Sequence, residues 1–146
     1  MKSKIKETLV EKVNKSKWWH VTPQDSGAYK KRGKFLASTY KQAEFYGRPN
    51  DDPERVFISN PIYGKEPAIL KSLFPNEYKE IYRSISKSRE RTQERWYLQR
   101  INLDAKMYKR AKMLGYDAII ILGESGREAL AKGRKPGSLE LNILNV

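Results

Sequence analysis

The sequence predicts one α+β domain with several short strands and a helical middle segment. Short runs of aromatic and β-branched residues lie near both ends of the chain, which is typical of strands. A long stretch between them repeats its apolar residues at helical spacing. The chain has 146 residues, the size of one ordinary domain, and contains no internal repeat or low-complexity linker. We therefore expect residues 1–146 to form a single domain.

The N-terminal half is expected to combine short helices with strands. In residues 1–16, apolar side chains recur at helical spacing between Lys and Glu, which predicts an amphipathic helix. Three runs rich in aromatic and β-branched residues predict strands at 18–23, 35–39 and 55–59. Residues 24–34 contain two glycines and a basic run, and they predict a loop. Residues 40–46 predict one or two helical turns, which Gly47 and Pro49 end.

The C-terminal half is expected to hold a long helical segment and two further strands. Residues 66–114 carry apolar stripes at helical spacing, and Gly115 is a typical helix end. Residues 118–122 are a β-branched run that is typical of a fully buried strand. A glycine- and lysine-rich turn over 123–137 then leads to a last predicted strand at 139–144.

Composition excludes several kinds of functional site. The chain has no cysteine and a single histidine, His20. Disulfide frameworks, thiol nucleophiles, iron–sulfur clusters and zinc sites built on thiolates or several histidines are therefore excluded, and we expect no metal. The net charge of +13 and the pI near 9.9 favour encounter with nucleic acid, nucleotides or acidic protein surfaces. No apolar stretch suits a transmembrane helix or a secretory signal, so we expect a cytoplasmic protein without membrane contact.

Glu140 lies near the start of the last predicted strand. Leu139, Leu141 and Ile143 alternate with it, so one face of that strand is apolar and Glu140 belongs to the other face. The structural interpretation of this pattern is a solvated carboxylate on an edge strand. The functional interpretation is a carboxylate at the mouth of a cleft, where it stabilises positive charge that develops on a substrate.

Four further polar residues are candidates for ligand contact. His20 follows two tryptophans and fits a half-buried core histidine, but Thr22 lies on the same strand face and gives it a hydrogen-bonding neighbour. Ser38 and Thr39 precede the helical turn at 40–46 and are N-cap candidates. A hydroxyl there also suits a phosphate or a ribose, because a helix N-terminus presents free N–H groups to anions.

Residues 79–112 are strongly basic, with eleven Lys and Arg against four Asp and Glu. A solvated helix face is the simplest interpretation of this charge. The aromatic residues interleaved with the cations are Tyr82, Trp96, Tyr97 and Tyr108. This combination is also typical of a nucleic-acid-binding face.

Five segments, taken in order, resemble ADP-ribosyltransferase-like domains of the small type found in phages and polyvalent bacterial proteins. The first is His20-Val-Thr-Pro, which is similar to a strand with a His-x-Ser/Thr motif. The second, 33–46, resembles a glycine, a short aromatic strand ending in Ser/Thr, and a helix. The segments 57–63 and 115–121 resemble an Asn-Pro-aliphatic segment and a Gly-Tyr-Asp-aliphatic strand. The last, 140–144, resembles the catalytic strand, in which a glutamate precedes aliphatic residues.

The resemblance implies a split pair of small, roughly perpendicular β-sheets, with NAD⁺ bound as a substrate in the cleft between them. It implies that Glu140 is the catalytic glutamate and that His20 binds the adenosine ribose and orients the dinucleotide. The implied NAD-contacting residues are His20, Val21, Thr22, Phe35, Ser38, Thr39, Tyr40 and Tyr46. Phe35 aligns where one subgroup of the family carries a tyrosine, so the chain departs from the His-Tyr-Glu pattern there. The basic run at 30–34 lies between the first two segments, where it would contact a phosphate.

The function that the resemblance implies is mono-ADP-ribosyl transfer from NAD⁺ to a host macromolecule, by a phage or bacterial enzyme in the host cytoplasm. Breaking the nicotinamide–ribose bond passes through an oxocarbenium-like ribose, which a nearby carboxylate stabilises. Arginine acceptors are disfavoured, because Ser138 stands where arginine-modifying members carry a second glutamate. A host protein and a nucleic acid both stay open as acceptors, and an acidic partner protein would also suit the charge. The alternative function is a non-catalytic basic module that binds nucleic acid or an acidic protein.

Overall fold

The computed structural model describes residues 2–25, 27–44, 47–91, 93–122 and 139–145. Within these ranges the helices are α1 (Lys2–Lys15), α2 (Ala28–Arg32), α3 (Tyr40–Ala43), α4 (Glu66–Leu73), α5 (Tyr78–Arg91) and α6 (Gln93–Met113). The strands are β1 (Lys17–His20), β2 (Lys34–Ala37), β3 (Glu54–Arg55), β4 (Pro61–Gly64), β5 (Ala118–Leu122) and β6 (Leu139–Ile143). Helices and a mixed sheet occur together, which confirms the predicted α+β class. The turn predicted at 123–137 lies outside the described residues.

The strands form one series in the order β3-β1-β2-β6-β5-β4. β4 and β5 are parallel, and every other neighbouring pair is antiparallel. β1 changes its partner halfway along, because Lys17 and Trp18 pair with β3 whereas Trp19 and His20 pair with β2. β1 therefore joins the six strands into one continuous series. The resemblance, in contrast, implies two separate small sheets.

The sheet is buried on both faces, and successive residues of β5 go to different faces. Ile120 packs in a cluster with Leu9 of α1 and Trp18 of β1. Ile119 packs on the other side with apolar residues of α4 and α6, among them Met107. This two-sided burial explains why β5 is apolar throughout its length rather than alternating.

The predicted helical segment 66–114 consists of α4, α5 and α6. The last two turns of α6 reach the end of α4, where Arg110 Nε donates to the carbonyl of Leu73 at 3.1 Å. Near the middle of α6, Arg100 donates to both carboxylate oxygens of Glu66 at the start of α4. In the ranges that the structure describes, none of the helices has the length and apolar character needed to span a bilayer.

The strand predicted at 55–59 is wrong for most of its length, because β3 ends at Arg55. Val56 and Ile58 are buried and Phe57 is 81% exposed, so successive side chains alternate as they would in a strand. A side chain of α1 replaces the neighbouring strand there. Asn14 Nδ2 donates to the carbonyl of Ile58 at 2.9 Å, and Asn14 Oδ1 accepts from the Ile58 amide at 2.8 Å. The segment is extended because a helix side chain satisfies its backbone.

The loop predicted at 24–34 contains a short helix, α2, so this part of the prediction is wrong. The helix ends at Gly33, whose amide donates to the carbonyl of Tyr29 at 2.9 Å. Gly33 has φ +84° and ψ −170°, a backbone conformation that residues with a Cβ rarely adopt. The glycine thus turns the chain from α2 directly into β2, and it holds α2 close to the sheet.

Candidate functional site

A cavity of about 610 Å³ opens beside the ends of β1 and β2. This volume is within the range of ligand-binding clefts. Its wall combines the aromatic side chains of Trp19, Tyr29 and Phe35 with two arginines, Arg32 and Arg48. The cavity therefore offers apolar surfaces for rings and cations for an anionic group.

His20 lies on the wall of this cavity and is buried, with 5% of its surface exposed. Its Nδ1 is 2.7 Å from the carbonyl of Phe35, and its Nε2 is 2.8 Å from the Tyr29 hydroxyl. Burial lowers the pKa of His20, so the imidazole is neutral at pH 7. A carbonyl accepts only, so Nδ1 carries the proton and Nε2 accepts from the tyrosine hydroxyl. The ring is thus held in one tautomer by a neighbour on each side.

Val21 and Thr22 continue from β1 along the same wall. Thr22 Oγ1 donates to the side-chain oxygen of Asn50 at 3.1 Å. The backbone N–H of Asn50 in turn donates to the carbonyl of His20 at 2.8 Å. These two bonds hold Asn50 against the end of β1, close to the cavity.

Three other residues of the expected NAD-binding set do not line the cavity. Thr39 is the N-cap of α3, where its side chain accepts from the Gln42 amide at 3.2 Å. Ser38 Oγ donates to Gln42 Oε1 at 2.7 Å, and it accepts from the Leu139 amide at 3.3 Å. Tyr40 packs edge-on against Trp19, with the ring centroids 5.1 Å apart. These contacts give Ser38, Thr39 and Tyr40 structural roles, and their role in NAD binding stays a prediction. Tyr46 lies outside the described residues.

The second feature of interest is a recess around Glu140, on the sheet face that α6 covers. β6 lies between β2 and β5, so Glu140 is on a central strand and not on an edge strand. Its strand neighbours are Ala37 and Ile121. Burial raises the pKa of the Glu140 carboxyl above its ordinary value. Glu140 is therefore held where ionisation costs more than it does in water.

Phe35 connects the two parts of the site. It lines the large cavity together with His20, and it lines the small recess of about 10 Å³ that contains Glu140. The strand order explains this position, because β2 lies between β1, which carries His20, and β6, which carries Glu140. The structure thus brings the His20, Phe35 and Glu140 strands side by side, in one continuous part of the sheet.

Asp104 of α6 lines the same small recess as Glu140. Arg100 Nη2 lies 3.3 Å from one of its oxygens. Burial raises the pKa of Asp104 to about 6, against the opposing effect of the Arg100 charge. No sequence pattern indicates a functional role for this carboxyl or for Tyr29, the hydrogen-bond partner of His20. Asp104 was one of four acids in a basic helix, and Tyr29 lay in a predicted loop, so neither had a local signal.

The basic run at 30–34 is divided between different surroundings. Arg32 lines the large cavity. Lys30 and Lys31 are exposed, and Lys31 lies 3.4 Å from an Asp25 oxygen. Lys34 forms an ion pair with Glu54 of β3. Within this run, Arg32 is the residue placed to meet an anion in the cavity.

Two of the five resembling segments meet in a turn whose contacts are structural. The Asp117 carboxylate accepts from the Ser59 amide at 2.7 Å and from the Asn60 amide at 2.9 Å. Asn60 Nδ2 donates to the carbonyl of Gly115 at 3.0 Å. These bonds fix the starts of β4 and β5 side by side. The Asn-Pro and Gly-Tyr-Asp patterns therefore have a folding explanation in this chain.

Comparison with known proteins gives no assignment of this site. No family model, no curated protein and no solved structure matches the chain.

Proposed function

We propose that the chain is an NAD-dependent mono-ADP-ribosyltransferase that modifies a host macromolecule. The observation that carries the proposal is the position of Phe35. This residue borders both the large cavity, where His20 lies, and the recess that holds Glu140. A dinucleotide in the cavity would bring its reacting ribose to the Phe35 side, next to the one carboxylate that the resemblance assigns to catalysis.

The cavity supplies groups that suit the parts of NAD⁺. Arg32 and Arg48 carry the charges that a pyrophosphate requires. The Tyr29 hydroxyl donates its proton to His20 Nε2, which leaves its oxygen to accept a hydrogen bond from a ribose hydroxyl. Trp19 and Phe35 offer aromatic faces for the adenine and nicotinamide rings. Because His20 is neutral, it orients the Tyr29 hydroxyl without adding positive charge beside the cationic nicotinamide.

The proposed reaction breaks the bond between ribose C1′ and the nicotinamide nitrogen. Nicotinamide leaves with the electron pair of that bond, and positive charge develops on the ribose. An acceptor nucleophile then forms a bond to C1′ and loses its proton to solvent or to a neighbouring base. The ionised Glu140 carboxylate stabilises the ribose cation, and the low dielectric around it makes this attraction stronger than it would be in water.

The raised pKa of Glu140 is consistent with this role. Burial raises the pKa, and among the described residues no hydrogen bond or ion pair reaches this carboxylate. A developing positive charge would supply a partner in the transition state only. An interaction that is stronger in the transition state than in the ground state is the kind that accelerates a reaction.

The test is nicotinamide release from NAD⁺ by the wild-type chain and by Glu140→Gln. We expect the substitution to lower the rate by about 10²–10³-fold, the usual effect of losing one electrostatic group of this type. Glu7→Gln is the matched control, because Glu7 is an exposed glutamate of α1. Equal rates in the wild type and Glu140→Gln would contradict the assignment. Release that rises on addition of host lysate would support a transferable acceptor.

A further inference from the structure

A groove of about 420 Å³ lies between α4 and α5, separate from the large cavity around His20. We call it the α4–α5 groove, and its lining residues are Pro67, Leu70, Tyr78, Lys79, Tyr82 and Arg83. It shares none of these residues with the cavity around His20. Tyr82 is 49% exposed, so its ring is accessible to a ligand in the groove.

The side chains of the groove form two parallel rows on α5. Tyr78 and Tyr82 are one helical turn apart, so they lie one above the other on the same face. Lys79 and Arg83 follow each tyrosine by one residue and form a cationic row beside the aromatic one. From α4, Lys71 Nζ lies 5.8 Å from the centroid of the Tyr78 ring. The aromatic row is therefore bordered by positive charge on both helices.

Acidic side chains of the described residues do not pair with Lys79 or Arg83. Among the described residues, no carboxylate lies within ion-pairing distance of Lys79 or Arg83. The nearby Glu66 is paired with Arg100. The positive charge along the groove thus faces solvent.

We propose that the α4–α5 groove binds single-stranded nucleic acid. An aromatic row suits unstacked bases, since every base presents a π-face, and the neighbouring cations suit the phosphates between them. A duplex keeps these faces stacked inside, and an acidic protein supplies negative charge without them. The net charge of +13 adds long-range attraction for a polyanion. This binding site stands independently of Glu140 and of the proposed transferase activity.

The test is fluorescence anisotropy of the full chain with a labelled single-stranded oligothymidylate at several salt concentrations. We expect Tyr82→Ala to weaken binding by about five- to a hundredfold, because one stacking contact is lost. Tyr82→Phe should retain most of the affinity. Lys79→Ala should weaken binding and reduce the slope of log affinity against log salt by about one.

Two variants at exposed residues that do not line the groove are the matched controls. Phe57 is an exposed aromatic residue with Arg55 5.7 Å from its ring centroid, and it lies beside α1. Lys17 is an exposed lysine of β1. Phe57→Ala and Lys17→Ala should leave the affinity within about twofold of the wild type.

The possible outcomes either support or overturn the groove assignment. The assignment is supported if Tyr82→Ala loses affinity for the oligothymidylate and the control variants do not. It also requires that the wild type binds a duplex and an acidic peptide more weakly than the single strand. An equal loss in Phe57→Ala, or undiminished binding by Tyr82→Ala, would overturn it. Preference for the duplex or for the acidic peptide would overturn the choice of a single strand. Glu140→Gln should bind the oligonucleotide as the wild type does, so failure of the transferase proposal leaves this result interpretable.

Discussion

Replacing Gly33 by alanine should destabilise the protein, and the structure explains the expected magnitude. The backbone of Gly33, with φ +84° and ψ −170°, is nearly restricted to glycine and costs another residue about 1–3 kcal/mol. A Cβ there would also lie 2.2 Å from Asn142 Oδ1 and 2.8 Å from the carbonyl oxygen of Ile143. Relief of such overpacking typically costs about 1–3 kcal/mol more. We therefore expect Gly33→Ala to lower the free energy of unfolding by about 2–6 kcal/mol.

Gly115→Ala separates the two contributions. Gly115 also has a positive φ, +91°, but a Cβ there meets nothing within 4 Å. We expect Gly115→Ala to cost about 1–2 kcal/mol, the backbone contribution without a clash. Urea unfolding of the two variants and the wild type measures both values. A Gly33→Ala variant no less stable than Gly115→Ala would refute the close packing of α2 on β6.

Three further predictions concern stability. Burial raises the folded-state pKa of Glu140, so the free energy of unfolding of the wild type should fall as pH rises through that pKa. Glu140→Gln should lack this pH-dependent loss of stability. Parallel pH profiles of the two proteins in urea unfolding at pH 4–8 would argue against burial of the carboxyl. Asn14→Ala should cost about 2 kcal/mol, since it removes both hydrogen bonds to the Ile58 backbone; a change within 0.5 kcal/mol, roughly that of a surface substitution, would contradict this. Arg100→Met should lower the free energy of unfolding by about 2–4 kcal/mol, because it leaves the carboxylates of Glu66 and Asp104 without their cation. Thermal or urea unfolding measures this change, and a neutral or stabilising effect would contradict the prediction.

The sequence predicts the strands whose burial leaves a local pattern. The β-branched run at 118–122 coincides with β5, and the alternation around Leu141 coincides with β6. β4 lacked such a signal, because Pro61 resembles the end of the preceding strand. In the structure Pro61 is the first residue of β4, a position where a proline is tolerated in a sheet.

The candidate site is predictable only in part. Strand alternation correctly separates Glu140 from the face of Leu139 and Leu141, since the two leucines pack in the cluster with α1. The burial of Glu140 depends on how α6 crosses the sheet, which no local sequence pattern encodes. The contact between His20 and Tyr29 likewise depends on the turn at Gly33, so it becomes visible only in three dimensions.

In the proposed reaction, Glu140 stabilises the ribose cation formed from NAD⁺. The most direct measurement is the pH dependence of nicotinamide release by the wild type and by Glu140→Gln. Release should require the ionised carboxylate, so the wild-type rate should rise with pH through a pKa above the ordinary glutamate value of 4.5. Glu140→Gln should be about 10²–10³-fold slower and should lack that rise. Equal rates and identical pH profiles for the two proteins would contradict this role of Glu140.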